Sequence, residues 1–329
     1  MRKWVLGIAM ALAGAALIAL AVIPGLFSVA PKFGDLTANF KPVMTAPALS
    51  GLRSDLNEIS AAQSQFGTQM VPALATALGT TPTELSASLA QQFPAVSGGL
   101  QGVPAITGRF DQVLATLSAE RGNFEQAASI PTASISPTSI PWVLLVVGVV
   151  LIAGAVVTRR WWRVGLALVV GALLVATPLV LSLPGKATAA DSMNAQMGPL
   201  FTAKTVAGAE QSLATMEAMS TQLQNEMLPA LGQMLSLQPA QFDAYLAANF
   251  PAVSSGLSAL PKSMAQFKAL VTAFQSSLAD YNDISSTQFT PIVRTILATG
   301  GFVLLVGLLG AVDLTRRPRF AGQFSEVAA

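Results

Sequence analysis

Few side chains in this sequence could take part in catalysis, and the residue types present exclude most catalytic mechanisms. The 329-residue chain contains neither cysteine nor histidine. Their absence excludes thiol nucleophiles, disulfides, imidazole acid–base catalysis and the usual zinc ligands. No serine or lysine has an activating base at a recognisable spacing, and the carboxylates are scattered along the chain. We therefore predict that the protein is not an enzyme and binds no metal and no cofactor.

One short motif occurs twice and is the strongest candidate for a binding site. Residues 93–97 and 250–254 both read Phe-Pro-Ala-Val-Ser. A proline ends the helix that precedes it, so the motif is either a helix break closed by an apolar plug or a docking point for a protein partner or a lipid. The candidate docking residues at this predicted tip are Phe93, Pro94, Val96, Phe250, Pro251 and Val253.

The motif belongs to a longer internal repeat with a shift of 157 residues. Residues 70–74 (Met-Val-Pro-Ala-Leu) match residues 227–231 (Met-Leu-Pro-Ala-Leu), and Thr-Arg-Arg at 158–160 recurs at 315–317. Residues 49–110 align with the residues 157 positions later without a gap, and chance does not explain an alignment of this length. The sequence therefore predicts two tandem copies of one unit.

Composition places the chain among membrane proteins. It is 52% hydrophobic and only 10% charged, whereas soluble domains carry about 25% charged residues. Four apolar runs approach the roughly 20 residues that a membrane-spanning helix needs. We predict an all-α membrane protein with four transmembrane helices in two tandem parallel repeats, each with a long helical-hairpin ectodomain. The predicted segments are TM1 at 1–30, ectodomain 1 at 31–140, TM2 at 141–158, a cytoplasmic turn at 159–163, TM3 at 164–184, ectodomain 2 at 185–291, TM4 at 292–313 and a cytoplasmic tail at 314–329.

The first apolar run has a second interpretation as a cleaved signal peptide. Arg2 and Lys3 precede it, and Ser-Val-Ala at 28–30 has the small residues of a cleavage site. The run is longer than a usual signal core, and Pro31 follows the small residues directly. We therefore expect an uncleaved anchor.

Basic residues set the predicted orientation. They precede the first span, fill the turn between the second and third spans, and follow the fourth span. Such residues favour the cytoplasmic side, which places both termini in the cytoplasm and both ectodomains outside it. The Ala-rich, Lys-poor composition favours a bacterial inner (plasma) membrane. The topology determinants are Arg2, Lys3, Arg159, Arg160, Arg163, Arg316, Arg317 and Arg319.

Each ectodomain has a helical pattern. Apolar residues recur every three or four positions across residues 49–70 and 206–227, which predicts an outgoing helix of about 30 residues, kinked at Pro72 or Pro229. A capping box at Thr81 starts a short helix. A second short element is predicted to end at Pro104 or Pro261, before a returning helix. A Pro/Ser/Thr linker is predicted at 130–137.

Charge narrows the function. The first ectodomain has five basic and seven acidic residues and the second has four and seven, so neither offers a basic groove for nucleic acid. The span interiors contain no ionisable residue, which disfavours an ion-coupled pump. We predict a non-catalytic accessory or scaffold subunit of a cell-envelope transport or secretion complex, with lipids as one class of cargo, that contacts membrane lipids and binds protein partners through its ectodomains. The alternative is a pseudo-dimeric transporter or channel for lipids or small apolar molecules.

Overall fold

The computed structural model describes residues 3–22, 25–129, 138–156 and 159–316, and every regular element in those ranges is helical. The predicted all-α class is confirmed. The first half contains α1 Lys3–Val22, α2 Leu26–Phe40, α3 Ala46–Gln65, α4 Val71–Leu78, α5 Pro82–Gln92, α6 Pro94–Ala128 and α7 Ser139–Val156. The second half contains α8 Arg160–Val180, α9 Leu183–Met197, α10 Ala203–Gln222, α11 Leu228–Met234, α12 Pro239–Asn249, α13 Pro251–Ile284 and α14 Phe289–Arg316.

Helix starts recur at the shift seen in the sequence. The helices α1 to α6 begin 157 residues before α8 to α13, as in Pro82 against Pro239 and Pro94 against Pro251. A π turn follows α3 at Phe66–Met70, and another follows α10 at Leu223–Met227, again 157 residues later. We call two residues at this spacing counterparts.

The chain forms two compact units. The span unit consists of the described parts of Met1–Thr37, Gly122–Ala195 and Ala279–Ala329. The polar helical unit consists of Ala38–Arg121 and Gln196–Leu278.

Four described helices are long and apolar enough to cross a membrane, as predicted. They are α1, α7, α8 and α14. In the span unit α1 packs mainly on α7, and α8 packs mainly on α14. Gly14 and Gly148 lie at the α1–α7 crossing, where a Cβ on Gly14 would come within 2.5 Å of the Gly148 carbonyl oxygen. Glycine at both positions therefore allows the two backbones to approach closely.

The basic residues chosen as topology determinants are described only in part. Arg160 forms an ion pair with Asp313 between α8 and α14. Arg159 and Arg163 lie beside it in the sequence, at the start of α8. Arg2, Arg317 and Arg319 lie outside the described residues, and Lys3 and Arg316 are described as helical backbone only. The orientation stays a prediction.

Helix α9 fixes the start of α14 within the span unit. The Asp191 carboxylate accepts hydrogen bonds from the backbone N–H groups of Phe289 at 2.7 Å and Thr290 at 2.8 Å. The hydroxyl of Tyr281 donates to the Asn194 carbonyl oxygen at 2.6 Å, and burial raises the pKa of this tyrosine. The two bonds to Asp191 satisfy N–H groups that a helix start leaves without partners. The linker predicted at 130–137 lies outside the described residues.

Proline acts differently at two places in the polar helical unit. A π turn immediately precedes α4, whose second residue is Pro72, and the kink expected there stays a prediction. A proline lacks the N–H donor and crowds the carbonyl four residues earlier, and the wider π turn relieves both problems. The expected end of an element at Pro104 or Pro261 is wrong, because α6 and α13 continue through these residues.

The reason for that continuity is burial. On the buried face of α6, Val103 directly precedes Pro104, and Ile106 and Phe110 follow it. Proline has a helical φ and costs the helix one hydrogen bond together with local crowding. Each of these apolar side chains gains about 1.5 to 3 kcal/mol on full burial, so packing on both sides of Pro104 outweighs its cost.

Candidate docking site

The twice-occurring Phe-Pro motif lies in one apolar core that both halves of the chain build. Phe93, Val96, Phe250 and Val253 are at most 6% exposed. They pack together with residues of α4, α5, α11 and α12, and we call this cluster the Phe-Pro core. Its buried members are Met70, Val71, Leu74, Ala75, Leu85, Leu89, Phe93, Val96, Met227, Leu231, Phe242, Leu246, Phe250 and Val253.

The motif itself is a sharp break between two helices. The Phe93 N–H donates to the Leu89 carbonyl oxygen at 2.7 Å and so closes α5. The next residue, Pro94, starts α6, where its missing N–H costs nothing because first-turn N–H groups have no partner inside the helix. The N–H groups of Ala95 and Val96 then need acceptors from elsewhere.

Glutamines from the opposite half of the chain supply these acceptors. The Gln222 side-chain oxygen accepts from the N–H groups of Ala95 at 2.8 Å and Val96 at 3.2 Å. Its counterpart Gln65 accepts from the N–H groups of Ala252 at 2.8 Å and Val253 at 3.1 Å. Each half therefore caps the long returning helix of the other half.

Each capping glutamine is held in place by a residue one turn later. The side-chain nitrogen of Gln65 donates to the Gln69 side-chain oxygen at 3.0 Å. That of Gln222 donates to a Glu226 carboxylate oxygen, also at 3.0 Å. Both glutamines end their helices immediately before a π turn.

Close helix contacts accompany the exchanged caps. A Cβ on Gly99 would lie 2.7 Å from the Met219 Cβ, and a Cβ on Gly256 would lie 2.7 Å from the Ala62 Cβ. Met219 is the counterpart of Ala62, so α6 approaches α10 as α13 approaches α3. Phe110 and its counterpart Phe267 contact each other, with ring centroids 4.9 Å apart. A residue can touch its own counterpart only near an axis that relates the two halves of this unit.

A cavity of about 280 Å³ opens beside the Phe-Pro core in the first half of the chain. Phe66 and Gly67 of the π turn, Leu89 of α5, and Phe93 at the helix break line it. Of the predicted docking residues, Phe93 and Val96 line it.

The short helix next to this cavity begins with the predicted capping box. The Thr81 N–H donates to the Glu84 carboxylate at 3.0 Å, and the Glu84 N–H donates to the Thr81 hydroxyl oxygen at 3.3 Å. The Thr81 backbone, followed by the hydroxyls of Thr81 and Thr80, lowers the pKa of the exposed Glu84 carboxyl. In the other half Gln241 replaces the glutamate and accepts from the Gln238 N–H at 3.0 Å.

The predicted docking residues thus divide into two groups. Pro94 and Pro251 are exposed, whereas the phenylalanines and valines are core residues. Burial gives these four side chains a structural role and leaves docking as a prediction. The sequence analysis did not identify Gln65 and Gln222 as capping residues. The two glutamines are counterparts, and each is followed four residues later by a side chain that can accept a hydrogen bond.

The comparisons with known proteins found no similarity to carry over. No protein-family model, no curated protein and no solved structure matches this chain. In the described residues no cluster of three or more acidic side chains is placed to hold a metal ion. A functional proposal must therefore rest on the geometry of the chain itself.

Proposed function

We propose that the chain consists of two tandem copies of one membrane unit in parallel orientation. In this proposal α1, α7, α8 and α14 span the inner membrane of a bacterium, both termini are cytoplasmic, and the polar helical unit is the pair of helical-hairpin ectodomains. The helix starts that recur after 157 residues support it. Contacts between the two halves also support it, because Gln65 and Gln222 each cap a helix of the opposite half and Phe110 contacts its counterpart Phe267.

The function that we propose is that of a non-catalytic accessory or scaffold subunit of an envelope transport or secretion complex, with lipids as one class of cargo. The observation that carries it is the exchanged pair of glutamine caps. Because each half caps a helix of the other, the two ectodomains form one preorganised body. A partner that binds such a body pays less ordering entropy than one that binds two independent hairpins.

The alternative function, a transporter or channel formed by the chain alone, would require a path between the spans. Leu17, Leu151 and Ala167 are completely buried in the apolar core of the span unit. A conduit would open only if these side chains separated, and the proposal of an accessory subunit needs no such opening.

Site-specific photocrosslinking in native membranes tests the proposal. A photoreactive amino acid replaces Gln92 or its counterpart Asn249, which are exposed residues beside the Phe-Pro motif. Ser54 and its counterpart Gln211, exposed on α3 and α10, serve as matched controls. We expect the same envelope protein to crosslink at Gln92 and Asn249, to co-purify in constant ratio with the unmodified chain, and not to crosslink at the controls.

Reconstitution separates the two functions. Liposomes that contain only the purified chain should show no movement of a fluorescent lipid or a small apolar dye above protein-free liposomes. Transport by the chain alone, together with the lack of a co-purifying component, would overturn the accessory role and favour the alternative.

A further inference from the structure

We propose that the cavity beside the first π turn binds a single aliphatic chain of a lipid, and that only the first half of the protein carries this site. The cavity lies between the π turn, α5 and the start of α6, with Met227 from the other half among its lining residues. The inference does not rest on the accessory role, because a lipid-chain site is compatible with either of the functions above.

The lining determines the chemical class of the ligand. Phe66, Leu89, Phe93 and Leu100 present apolar surface, and none of the lining residues, all of them in the described part of the chain, is ionisable. Ligand sites of this kind bind through apolar contact, and a few neutral polar groups orient the ligand. A charged headgroup would have no partner inside, so the part of a lipid that fits is its hydrocarbon chain.

The volume favours a chain over an aliphatic side chain of a protein partner. About 280 Å³ corresponds to roughly nine groups of about 30 Å³, the volume that one water molecule takes in the liquid. An aliphatic chain of about that many carbons would fill the cavity. A leucine or isoleucine side chain from a partner, with four carbons, would leave about half of it empty and lose the contacts that favour burial.

Gly67 keeps the cavity open. A Cβ added at this position would meet no atom within 4 Å, so there is free space where every other residue type would place a side chain. A π turn widens the helix here, and such turns occur often at functional sites.

In the second half a side chain takes the place of Gly67. The counterpart of Gly67 is Gln224, whose side-chain nitrogen donates to the Ser220 hydroxyl oxygen at 3.3 Å. Ser220 is the counterpart of Gln63, which lines the cavity, so the Gln224 side chain extends toward the matching position. In addition, Asp243 stands where Ser86 lines the cavity in the first half, and a carboxylate disfavours an apolar ligand.

Photolabelling of the full chain in phosphatidylcholine nanodiscs tests this site. The probe is decanoic acid with a diazirine at its terminal carbon, and mass spectrometry locates the labelled peptides. We expect saturable labelling within residues 63–101 of the wild-type protein and, apart from Met227, which lines the same cavity, none within the matching residues 220–258. Gly67→Gln, which copies the second half, should reduce the labelling at half-saturating probe by at least about tenfold.

Gly98→Gln is the matched control, because Gly98 is exposed in the same unit, has no atom near its added Cβ, and does not line the cavity. It should label as the wild type does, and thermal unfolding should show that both variants fold. Labelling that does not saturate, that is equal in the two halves, or that Gly67→Gln leaves unchanged overturns the proposal. None of these results depends on whether a partner complex exists.

Discussion

The side-chain oxygen of Gln65 accepts the backbone N–H of Val253 at 3.1 Å, although 188 residues separate the two in the chain. The same glutamine accepts the N–H of Ala252, and Gln222 repeats the arrangement toward Ala95 and Val96. Two long helices are therefore capped from outside their own half. This exchange makes the polar helical unit a single folded body.

Replacing each capping glutamine with glutamate should have opposite effects. Gln65→Glu places a carboxylate at a helix N-terminus, which stabilises the helix by about 0.3 to 1 kcal/mol, while the Gln69 amide can turn and donate. Gln222→Glu loses the exposed hydrogen bond to Glu226, at a cost of about 0.5 to 1.5 kcal/mol, and places two carboxylates four residues apart, which costs about 0.2 to 0.5 kcal/mol more. Thermal unfolding of the detergent-solubilised chain at neutral pH and low salt measures both.

High salt should reduce the difference between these variants, because salt screens exposed charges. Two variants that shift the unfolding midpoint in the same direction by the same amount would contradict the role of Glu226.

The neighbouring glycines Gly98 and Gly99 should respond differently to alanine. Gly99→Ala would force a Cβ to within 2.7 Å of the Met219 Cβ and should cost about 1 to 3 kcal/mol through overpacking. Gly98→Ala meets no atom and should stabilise α6 by about 0.4 to 1 kcal/mol. Denaturant unfolding of the purified full chain measures the two changes.

A rescue experiment sharpens this prediction. The only atom that clashes with the new Cβ of Gly256→Ala is the Ala62 Cβ at 2.7 Å, since the Glu58 carbonyl oxygen lies at an ordinary contact distance of 3.8 Å, so Ala62→Gly should restore most of the lost stability. Met219→Ala should rescue Gly99→Ala only in part, because it removes the contacts with Sδ at 2.6 Å and Cγ at 2.7 Å but leaves the Cβ at 2.7 Å. Full rescue in both cases would show that the Met219 side chain beyond Cβ, rather than backbone approach, limits the packing.

The Phe110–Phe267 pair should be energetically coupled. Each ring is almost fully buried, so either change to alanine should cost about 3 to 5 kcal/mol. The double variant should cost less than the sum by about 0.5 to 1.5 kcal/mol, the value of an aromatic pair. A double-mutant cycle in denaturant measures the coupling, and strict additivity would mean that the two rings do not stabilise each other.

The capping box at Glu84 should make stability depend on pH in the acidic range. The pKa of this carboxyl is lowered in the folded state from its ordinary value of 4.5. Its contribution is therefore present above that value and is lost as the pH falls through the lower folded pKa. Glu84→Gln should remove this part of the stability that is lost in acid. The measurement is the change in the thermal unfolding midpoint between about pH 6 and about pH 3.

The second half offers the matched control for this experiment. Gln241→Glu places a titratable cap at the counterpart position, where the Gln238 N–H already donates to the side chain. It should introduce an acid dependence of the same sign but smaller size, because Leu237 and Gln238 stand where the hydroxyls of Thr80 and Thr81 help to lower the pKa of Glu84. If neither variant alters the pH dependence, the lowered pKa of Glu84 does not contribute to folding.

Local features of this protein were predictable from its sequence because short-range physics produces them. Four apolar runs long enough for a bilayer predicted the four apolar helices. The Thr81 and Glu84 spacing predicted a capped helix start, and Phe93-Pro94 predicted a helix break. Each of these depends only on residues within one continuous segment of the chain.

Tertiary structure alone decided the rest. Pro104 has the local signature of an element end, yet α6 continues through it because packing on both sides stabilises the helix. Nothing near Gln65 in the sequence reveals that it caps a helix 187 residues away. The opening at Gly67 exists only because a π turn, α5 and a residue of the other half surround it. Sequence determined which segments are helical and apolar, whereas the contacts between distant helices determined which ends are capped and which space stays open.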